Sequence, residues 1–232
     1  GQLRWRRRQH VVVGRQPHAL QDGLQEAVPV KEHLELAPLV LASTSAARRA
    51  LLERLEVPFI VDAPAFDEAA HSDRFEGMTD AEFALMLARG KAESLVARHP
   101  HRFILAADQV AVLPGPPRRR LDKPGHEDVA IEHLMALSGR PHHLTTGVVL
   151  LHPGGSPRQE AVDEQRLTLR AYDRAEAEAY VHRHRPLECA GSYRIEDAGI
   201  KLFERIEGQD STGIMGLPLL AVAGLLRAAG LL

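Results

Sequence analysis

Hydrophobic and polar positions form short blocks along most of the chain, and the blocks differ in their period. Leu39 to Ser43 and Phe103 to Ala107 are continuous apolar runs of strand length, and the second is predicted to continue through Val112. The block from Ala46 to Leu55 instead places its leucines at helical spacing on one face. Strand-like and helix-like blocks that alternate in this way predict an α/β or mixed α+β layer structure.

The same patterns predict the remaining elements. The further strands are predicted at Pro58 to Ala63, His143 to Leu151, Gln165 to Ala171 and Ile200 to Ile206. One helix is predicted to begin at the capping box Thr79-Asp-Ala-Glu82 and to end at about Arg98, and another to run from Glu127 to Leu137. A further helix is predicted after Asp173, which would cap it, and the last helix is predicted to begin at Pro218. Turns are predicted at 114–120 and 153–157.

Composition excludes several classes of protein. The 232 residues are enough for one large domain or two lobes with a sizeable core. A formal net charge of -2 gives no bulk attraction to nucleic acid or membranes. The apolar stretches are far shorter than the ~20 residues that span a bilayer. The single cysteine, Cys189, forms no intrachain disulfide, so a cytoplasmic location is allowed.

The start of the chain differs from the rest. Residues 1–36 carry a basic cluster, Arg4 to Arg8, followed by only three valines, an apolar run too short for a secretory signal. A basic arm for nucleic acid or a membrane surface is one interpretation. We expect instead a poorly ordered extension without a catalytic role, with the enzyme domain at 37–232.

Some reactive side chains are interpreted as structural. Cys189 stands beside Ala190 and Gly191, which favours a small buried side chain over a nucleophile. The 13 histidines show no spacing typical of a zinc site. The pairs His142-His143 and His182-x-His184 are expected at the surface.

The chemistry begins at the first strand-to-helix junction. Backbone N–H groups at a helix start, the hydroxyls of Ser43 and Ser45, and the guanidinium of Arg48 all favour a bound anion such as phosphate. The turn lacks the Gly-Lys-Ser/Thr of a Walker A loop. The alternative is an ordinary junction in which Ser45 caps the helix.

Charged residues elsewhere in the chain are further candidates for binding a phosphate, holding a divalent cation or activating a water. Asp108 follows a buried strand, where catalytic or metal-binding carboxylates are common in α/β proteins. Asp67 and Glu68 are further carboxylates, or else a solvated pair. Lys91 and Lys123 are candidate phosphate ligands, or else a surface lysine and a turn residue.

Several separate segments together resemble the Maf family of nucleotide pyrophosphatases, over about residues 38 to 230. They are the first junction, Asp108-Gln-Val110, Leu121-Asp-Lys-Pro124, Leu137-Ser-Gly-Arg140, Thr145-Thr-Gly147, Cys189-Ala-Gly-Ser-Tyr193, Phe203 to Gly208 and Gly216-Leu-Pro-Leu219. The resemblance implies an α/β fold with a mixed sheet flanked by helices, in two lobes around a nucleotide-binding cleft. It implies cleavage between the α and β phosphates, and it allows a homodimer.

The resemblance also implies a role for each matching residue. Asp108 matches the family's proton acceptor, and Glu68 with Asp108 would hold Mg²⁺ or Mn²⁺. The phosphate-binding residues would be Ser43, Ser45, Arg48, Lys91 and Lys123.

Three positions bear on the nucleobase. Gln109 and Glu196 are similar to the branch of the family that acts on 7-methyl-GTP, whose methylated guanine is positively charged and is matched by a carboxylate. Ala47 replaces a bulkier residue and would enlarge the base pocket. Asp122 precedes Lys123 where glycine is frequent, so it is expected to weaken phosphate binding. The alternatives are a dTTP/UTP pyrophosphatase and a nucleotide-binding regulator of septum formation.

Overall fold

The computed structural model describes residues 38–232, so the expected extension at 1–36 lies outside the described residues. The strands are β1 (Leu39–Ala42), β2 (Phe59–Asp62), β3 (Phe103–Leu113), β4 (Arg119–Arg120), β5 (Pro141–Leu151), β6 (Arg158–Leu169) and β7 (Phe203–Glu207). The α-helices are α1 (Ala46–Glu53), α2 (Asp80–Glu93), α3 (Glu127–Leu137), α4 (Arg174–His184) and α5 (Leu219–Ala228).

The seven strands form one mixed sheet, as the sequence predicts. Its order is β2-β1-β3-β5-β6-β7, with β4 paired to β3. β1 runs parallel to β2 and β3, because helical or turn-rich connections return the chain to the same end. β3, β5, β6 and β7 pair antiparallel, and the loop at 153–157 joins β5 to β6 as the predicted hairpin.

The continuous apolar runs of β1 and β3 are explained by helices on both faces of the sheet. Leu41 and Leu105 face a core built with α1 and α5, whereas Val40 and Ile104 face α2. Helix α2 approaches β5 so closely that a Cβ on Gly147 would lie 2.6 Å from the backbone nitrogen of Leu85. Glycine is therefore required at this position.

Strand lengths create the opening for a site. β1 ends at Ala42, and its last partner in β3 is Leu105, opposite Leu41. β3 continues eight residues further, to Leu113, into a second core formed with α3 and α4. The end of β1 therefore leaves a gap beside the middle of β3, between the two cores.

Several predicted boundaries were wrong. Helix α2 ends at Glu93 rather than near Arg98, and Ser94 there donates a hydrogen bond of 2.7 Å to the carbonyl of Lys91. Strand β6 begins at Arg158 rather than Gln165, because its first half has a polar exposed side and is held by backbone pairing to β5. The predicted turn at 114–120 contains β4, and Pro218 caps α5 instead of beginning it. Ile200 lies in a 3₁₀ helix before β7.

The capping predictions are confirmed. Thr79 and Glu82 form the reciprocal capping box of α2, and Asp173 accepts a hydrogen bond from the backbone of Glu176 at the start of α4. Within residues 38–232 no helix is long and apolar enough to cross a membrane.

His142 is buried, so its predicted surface position was wrong. Its side chain is completely inaccessible, and Nε2 lies 2.7 Å from the hydroxyl of Tyr193. Burial and the neighbouring charge of His143 lower the pKa of His142 to about 4. The native protein therefore holds this imidazole neutral.

We expect His142 to make the protein sensitive to acid. A histidine in the unfolded chain has a pKa of about 6.5, so the unfolded state binds the extra proton between the two pKa values. As pH falls from about 6.5 to about 4, the wild-type free energy of unfolding should lose about 3 kcal/mol through this group. The His142→Gln variant should lack that loss. Urea unfolding at about pH 7 and about pH 4.5 measures whether the difference in free energy of unfolding between wild type and variant narrows in acid. A difference that stays constant would contradict the lowered pKa of His142.

Candidate functional site

One cleft of about 880 Å³ lies at the gap beside β3 and collects every residue predicted for the site. It is lined by Ser43, Ser45, Ala47, Arg48, Glu68, Lys91, Asp108, Gln109, Lys123 and Glu196. These residues come from six separate parts of the chain, so only the fold brings them together. Asp67 does not line the cleft, and its carboxylate instead accepts hydrogen bonds from the backbone of Ala69 and Ala70.

The junction between β1 and α1 forms one wall. Ser45 caps α1 by accepting a hydrogen bond of 3.3 Å from the backbone of Arg48, and Ser43 accepts one of 3.1 Å from the backbone of Ser45. The alternative interpretation of Ser45 as a helix cap is therefore confirmed. Both hydroxyls still line the cleft, where each retains a hydrogen to donate to an anion.

Arg48 is fixed by a hydrogen bond from its Nε to the carbonyl of Gly216, 2.8 Å away. Gly216 has a φ of +90°, which only glycine adopts without strain, and a Cβ there would lie 3.3 Å from Nε. Burial lowers the pKa of Arg48, and the carboxylates of Asp108 and Glu68 oppose that shift. The guanidinium therefore faces the cleft in a fixed orientation suited to phosphate oxygens.

The centre of the cleft is an ionic triad in which two members, Lys91 and Asp108, are buried and Glu68 is nearly half exposed. The ammonium of Lys91, on α2, donates to Asp108 Oδ1 and lies 2.9 Å from Glu68 Oε1. Lys91 and Asp108 are 6% and 4% exposed, so bulk water solvates neither charge well. One cation is thus shared by two carboxylates.

The two carboxylates differ in proton affinity. Burial raises the pKa of Asp108, although Lys91 and Arg48 pull it down. Burial also acts to raise the pKa of Glu68, but attraction to Lys91 and Lys123 outweighs it and the pKa is lowered. Asp108 is therefore the better proton acceptor of the pair, and Glu68 the more persistent anion.

Lys123 faces the same charges, since its ammonium is among the cations that lower the pKa of Glu68. Asp122 beside it is paired with Arg120, whose Nε lies 2.7 Å from Asp122 Oδ1. The negative charge that was expected to weaken phosphate binding is therefore offset locally.

Arg120 is a cleft residue that the sequence did not single out. Its guanidinium stacks 4.9 Å from the ring centre of Phe83. The only signal was a run of three arginines, which looked like a turn.

The far end of the cleft is formed by residues 188–196. Ser192, with a φ of +64°, is anchored by a hydrogen bond of 2.9 Å between its hydroxyl and His133 Nδ1. Arg194 donates to the carbonyl of His184 at the end of α4. These anchors hold Glu196 at the cleft, together with Glu188 and Arg194, which sequence reasoning also missed.

Cys189 is partly exposed and lines the cleft, so the prediction of a buried side chain was wrong. Burial of its sulfur is still enough to raise the pKa of the thiol. A thiol with a raised pKa is a poor nucleophile at neutral pH.

Comparison with known proteins agrees with the geometry. A family model described as "Maf-like protein" matches residues 38–229. A protein of Alkalilimnicola ehrlichii named "7-methyl-GTP pyrophosphatase" is 39% identical over 196 residues, which are 84% of this chain and 95% of that protein. A Pseudomonas putida protein with the same name is 39% identical over 197 residues, 85% of this chain and 99% of its own length.

We expect the triad to make stability depend on pH. In Lys91→Met the carboxylate of Asp108 loses its ion-pair partner, so the free energy of unfolding at neutral pH should fall by roughly 3 kcal/mol. The penalty should shrink as pH decreases through the raised pKa of Asp108, because the protonated carboxyl needs no cation.

Urea unfolding at several pH values measures this effect. The control is the Lys91→Met/Asp108→Asn double variant, in which the side chain at 108 is neutral at every pH. The double variant should lose less free energy of unfolding relative to wild type than Lys91→Met does, and this loss should depend less on pH. A Lys91→Met penalty that stays constant with pH would show that the triad does not titrate in this way.

Proposed function

The chain belongs to the Maf-like protein family, and from that membership and the cleft we propose that it is a nucleoside triphosphate pyrophosphatase. Its substrate is 7-methyl-GTP, which it hydrolyses to 7-methyl-GMP and diphosphate. The observation that carries the proposal is the buried carboxylate of Asp108, with its raised pKa, in one cleft with Arg48, Lys91 and Lys123. The names of both relatives support the choice of substrate.

The phosphates are bound by groups that the fold already orients. Arg48 presents its remaining guanidinium N–H groups, and Ser43 and Ser45 present hydroxyls beside the start of α1. Lys123 adds a mobile point charge next to Glu68. Together these groups hold the triphosphate, so that its α-phosphorus faces Asp108.

Asp108 then acts on the attacking water. Its carboxylate accepts a proton while the water oxygen forms a bond to the α-phosphorus, and the bond from that phosphorus to the bridging oxygen breaks. Pyrophosphate leaves with the bridging oxygen. Lys91 stabilises the carboxylate before transfer and holds it in place.

The carboxylates of Glu68 and Asp108 fit a hard divalent cation. Lys91 contacts one oxygen of each carboxylate, Glu68 Oε1 and Asp108 Oδ1, which leaves the second oxygen of each for a cation. Mg²⁺ needs only one or two protein carboxylates beside water and phosphate oxygens. Among residues 38–232 no three His, Cys, Asp or Glu side chains cluster for a metal, so the substrate phosphates would complete the ligand set. Mg²⁺ or Mn²⁺ bound there would neutralise charge on the phosphates.

Gln109 and Glu196 select the base. Glu196 adds a carboxylate to the cleft lining, where it matches the positive ring of 7-methylguanine and its N–H donors. We place this removal of modified nucleotides in the cytoplasm. The homodimer stays a prediction.

The substrate panel is the direct test. Pyrophosphate release should be fastest from 7-methyl-GTP, compared with GTP, dTTP and UTP in the presence of Mg²⁺ or Mn²⁺. Asp108→Asn should lower kcat by about a hundredfold or more, because a positioned general base contributes at least that factor. Preference for dTTP or UTP would refute the base assignment. Absence of turnover in folded protein would favour the septum-regulator alternative.

The proposed metal site has its own test. In Glu68→Gln the Mg²⁺ concentration for half-maximal activity should rise several-fold, because one anionic ligand is lost. Asp73→Asn is the matched control, since Asp73 lies exposed in the 3₁₀ helix (Ala69–Gly77) that directly follows Glu68 and does not line the cleft. Equal Mg²⁺ requirements in both variants would exclude Glu68 as a ligand.

A further inference from the structure

The side-chain amide of Gln109 is held from two sides. Its Nε2 donates a hydrogen bond of 2.6 Å to the carbonyl of Gly213 and another of 3.0 Å to Thr146 Oγ1. A backbone carbonyl only accepts hydrogen bonds, so the atom that faces Gly213 must be the amide nitrogen and not its oxygen. The orientation of this amide is therefore determined by its surroundings.

Gly213 is a rigid support. It lies in a 3₁₀ helix (Ser211–Met215) whose start is fixed by Asp210, which accepts hydrogen bonds from the backbone of Thr212 and Leu220. A Cβ on Gly213 would lie 2.0 Å from Asp163 Oδ2, so any other residue would have to displace that carboxylate. The carbonyl that receives the first N–H of Gln109 thus has little freedom to move.

Thr146 is the second support and belongs to a different element. It lies on β5 directly opposite Gln109 in the strand register, and its side chain is completely buried. We propose that Thr146 is a positioning residue for nucleobase selection. By accepting the second N–H of Gln109, it leaves Oε1 as the open group of that amide toward the cleft.

The remaining oxygen defines what the base must offer. Among the described residues no donor reaches Gln109 Oε1, while Gln109 itself is half-buried in the cleft lining. An amide that presents only its oxygen accepts hydrogen bonds, as does the carboxylate of Glu196. Two acceptors suit the N1–H and N2–H₂ donors of guanine, whereas uracil offers a single N–H between two carbonyls.

This inference rests on the proposed function, because it takes the substrate base to be 7-methylguanine. It adds that discrimination depends on a buried hydroxyl that does not touch the substrate. Thr146 is thus assigned a role in specificity, and the Asp108 chemistry is left unchanged.

The decisive variant is Thr146→Val, which keeps the shape of the side chain and removes the acceptor. We expect the KM for 7-methyl-GTP to rise roughly threefold to tenfold, the usual effect of one hydrogen bond. The kcat should stay within about twofold, and the preference for 7-methyl-GTP over UTP, as a ratio of kcat/KM values, should fall. Thr146→Ser, which keeps the hydroxyl, should restore wild-type values.

The matched control is Thr145→Val. Thr145 is equally buried on the adjacent position of β5, points to the other face of the sheet, and does not line the cleft. The Thr145→Val variant should leave unchanged both the KM for 7-methyl-GTP and the preference for 7-methyl-GTP over UTP. Thermal unfolding of each variant separates lost positioning from lost stability, and Thr146→Ala removes the same acceptor if the valine variant does not fold.

A double-variant cycle tests whether Thr146 affects base selection through Gln109. If Thr146 acts through Gln109, Thr146→Val should change neither KM nor preference in a Gln109→Ala background. An equal loss in both backgrounds, or an equal loss for 7-methyl-GTP and UTP, would overturn the proposal. Wild-type preference for UTP would refute the proposed substrate instead, and the cycle would still report whether Thr146 acts through Gln109.

Discussion

The site depends on one buried ammonium. Asp108 lies at the middle of the longest parallel-paired strand, where it is only 4% exposed, and a carboxylate with so little solvation is costly without a counter-ion. Lys91 provides the counter-ion from α2, and it also binds Glu68. The close approach of α2 to β5, which requires glycine at 147, is therefore a condition of the chemistry as well as of the packing.

The two carboxylates that share Lys91 differ in their pKa values. Asp108 is buried more deeply, so desolvation dominates and raises its pKa, whereas Glu68 is nearly half exposed and keeps a lowered pKa. A proton acceptor needs an affinity for protons near the working pH, while a metal ligand must stay ionised. The deeper burial of Asp108 makes it the better proton acceptor, and the attraction of Glu68 to Lys91 and Lys123 keeps Glu68 ionised.

Local sequence patterns were sufficient for most of the elements and for Arg48 and Asp108, whereas Glu68, Lys91 and Lys123 were selected through the family resemblance. The apolar run before Asp108 and the hydroxyl-rich junction before Arg48 carry their signals within ten residues, and both residues line the cleft. Pairings between distant segments have no such signal. The stacking of Arg120 on Phe83 and the burial of His142 beside Tyr193 follow from where β4 and residues 189–193 pack, which periodicity does not specify.

Many groups in the cleft serve the fold and the site together. Ser45 caps α1 and lines the cleft with its hydroxyl. Arg48 is bonded to the carbonyl of Gly216 and also lines the cleft. Gln109 connects β3 to β5 and to the 3₁₀ helix before α5. Loss of any of these side chains therefore changes both stability and binding. The effect on stability and the effect on binding can be separated by changing the residue that holds the cleft side chain and keeping the side chain itself. Such a holding residue contacts only the protein and not the substrate. Buried partners such as Thr146 are for that reason the most informative positions for assigning function in this cleft.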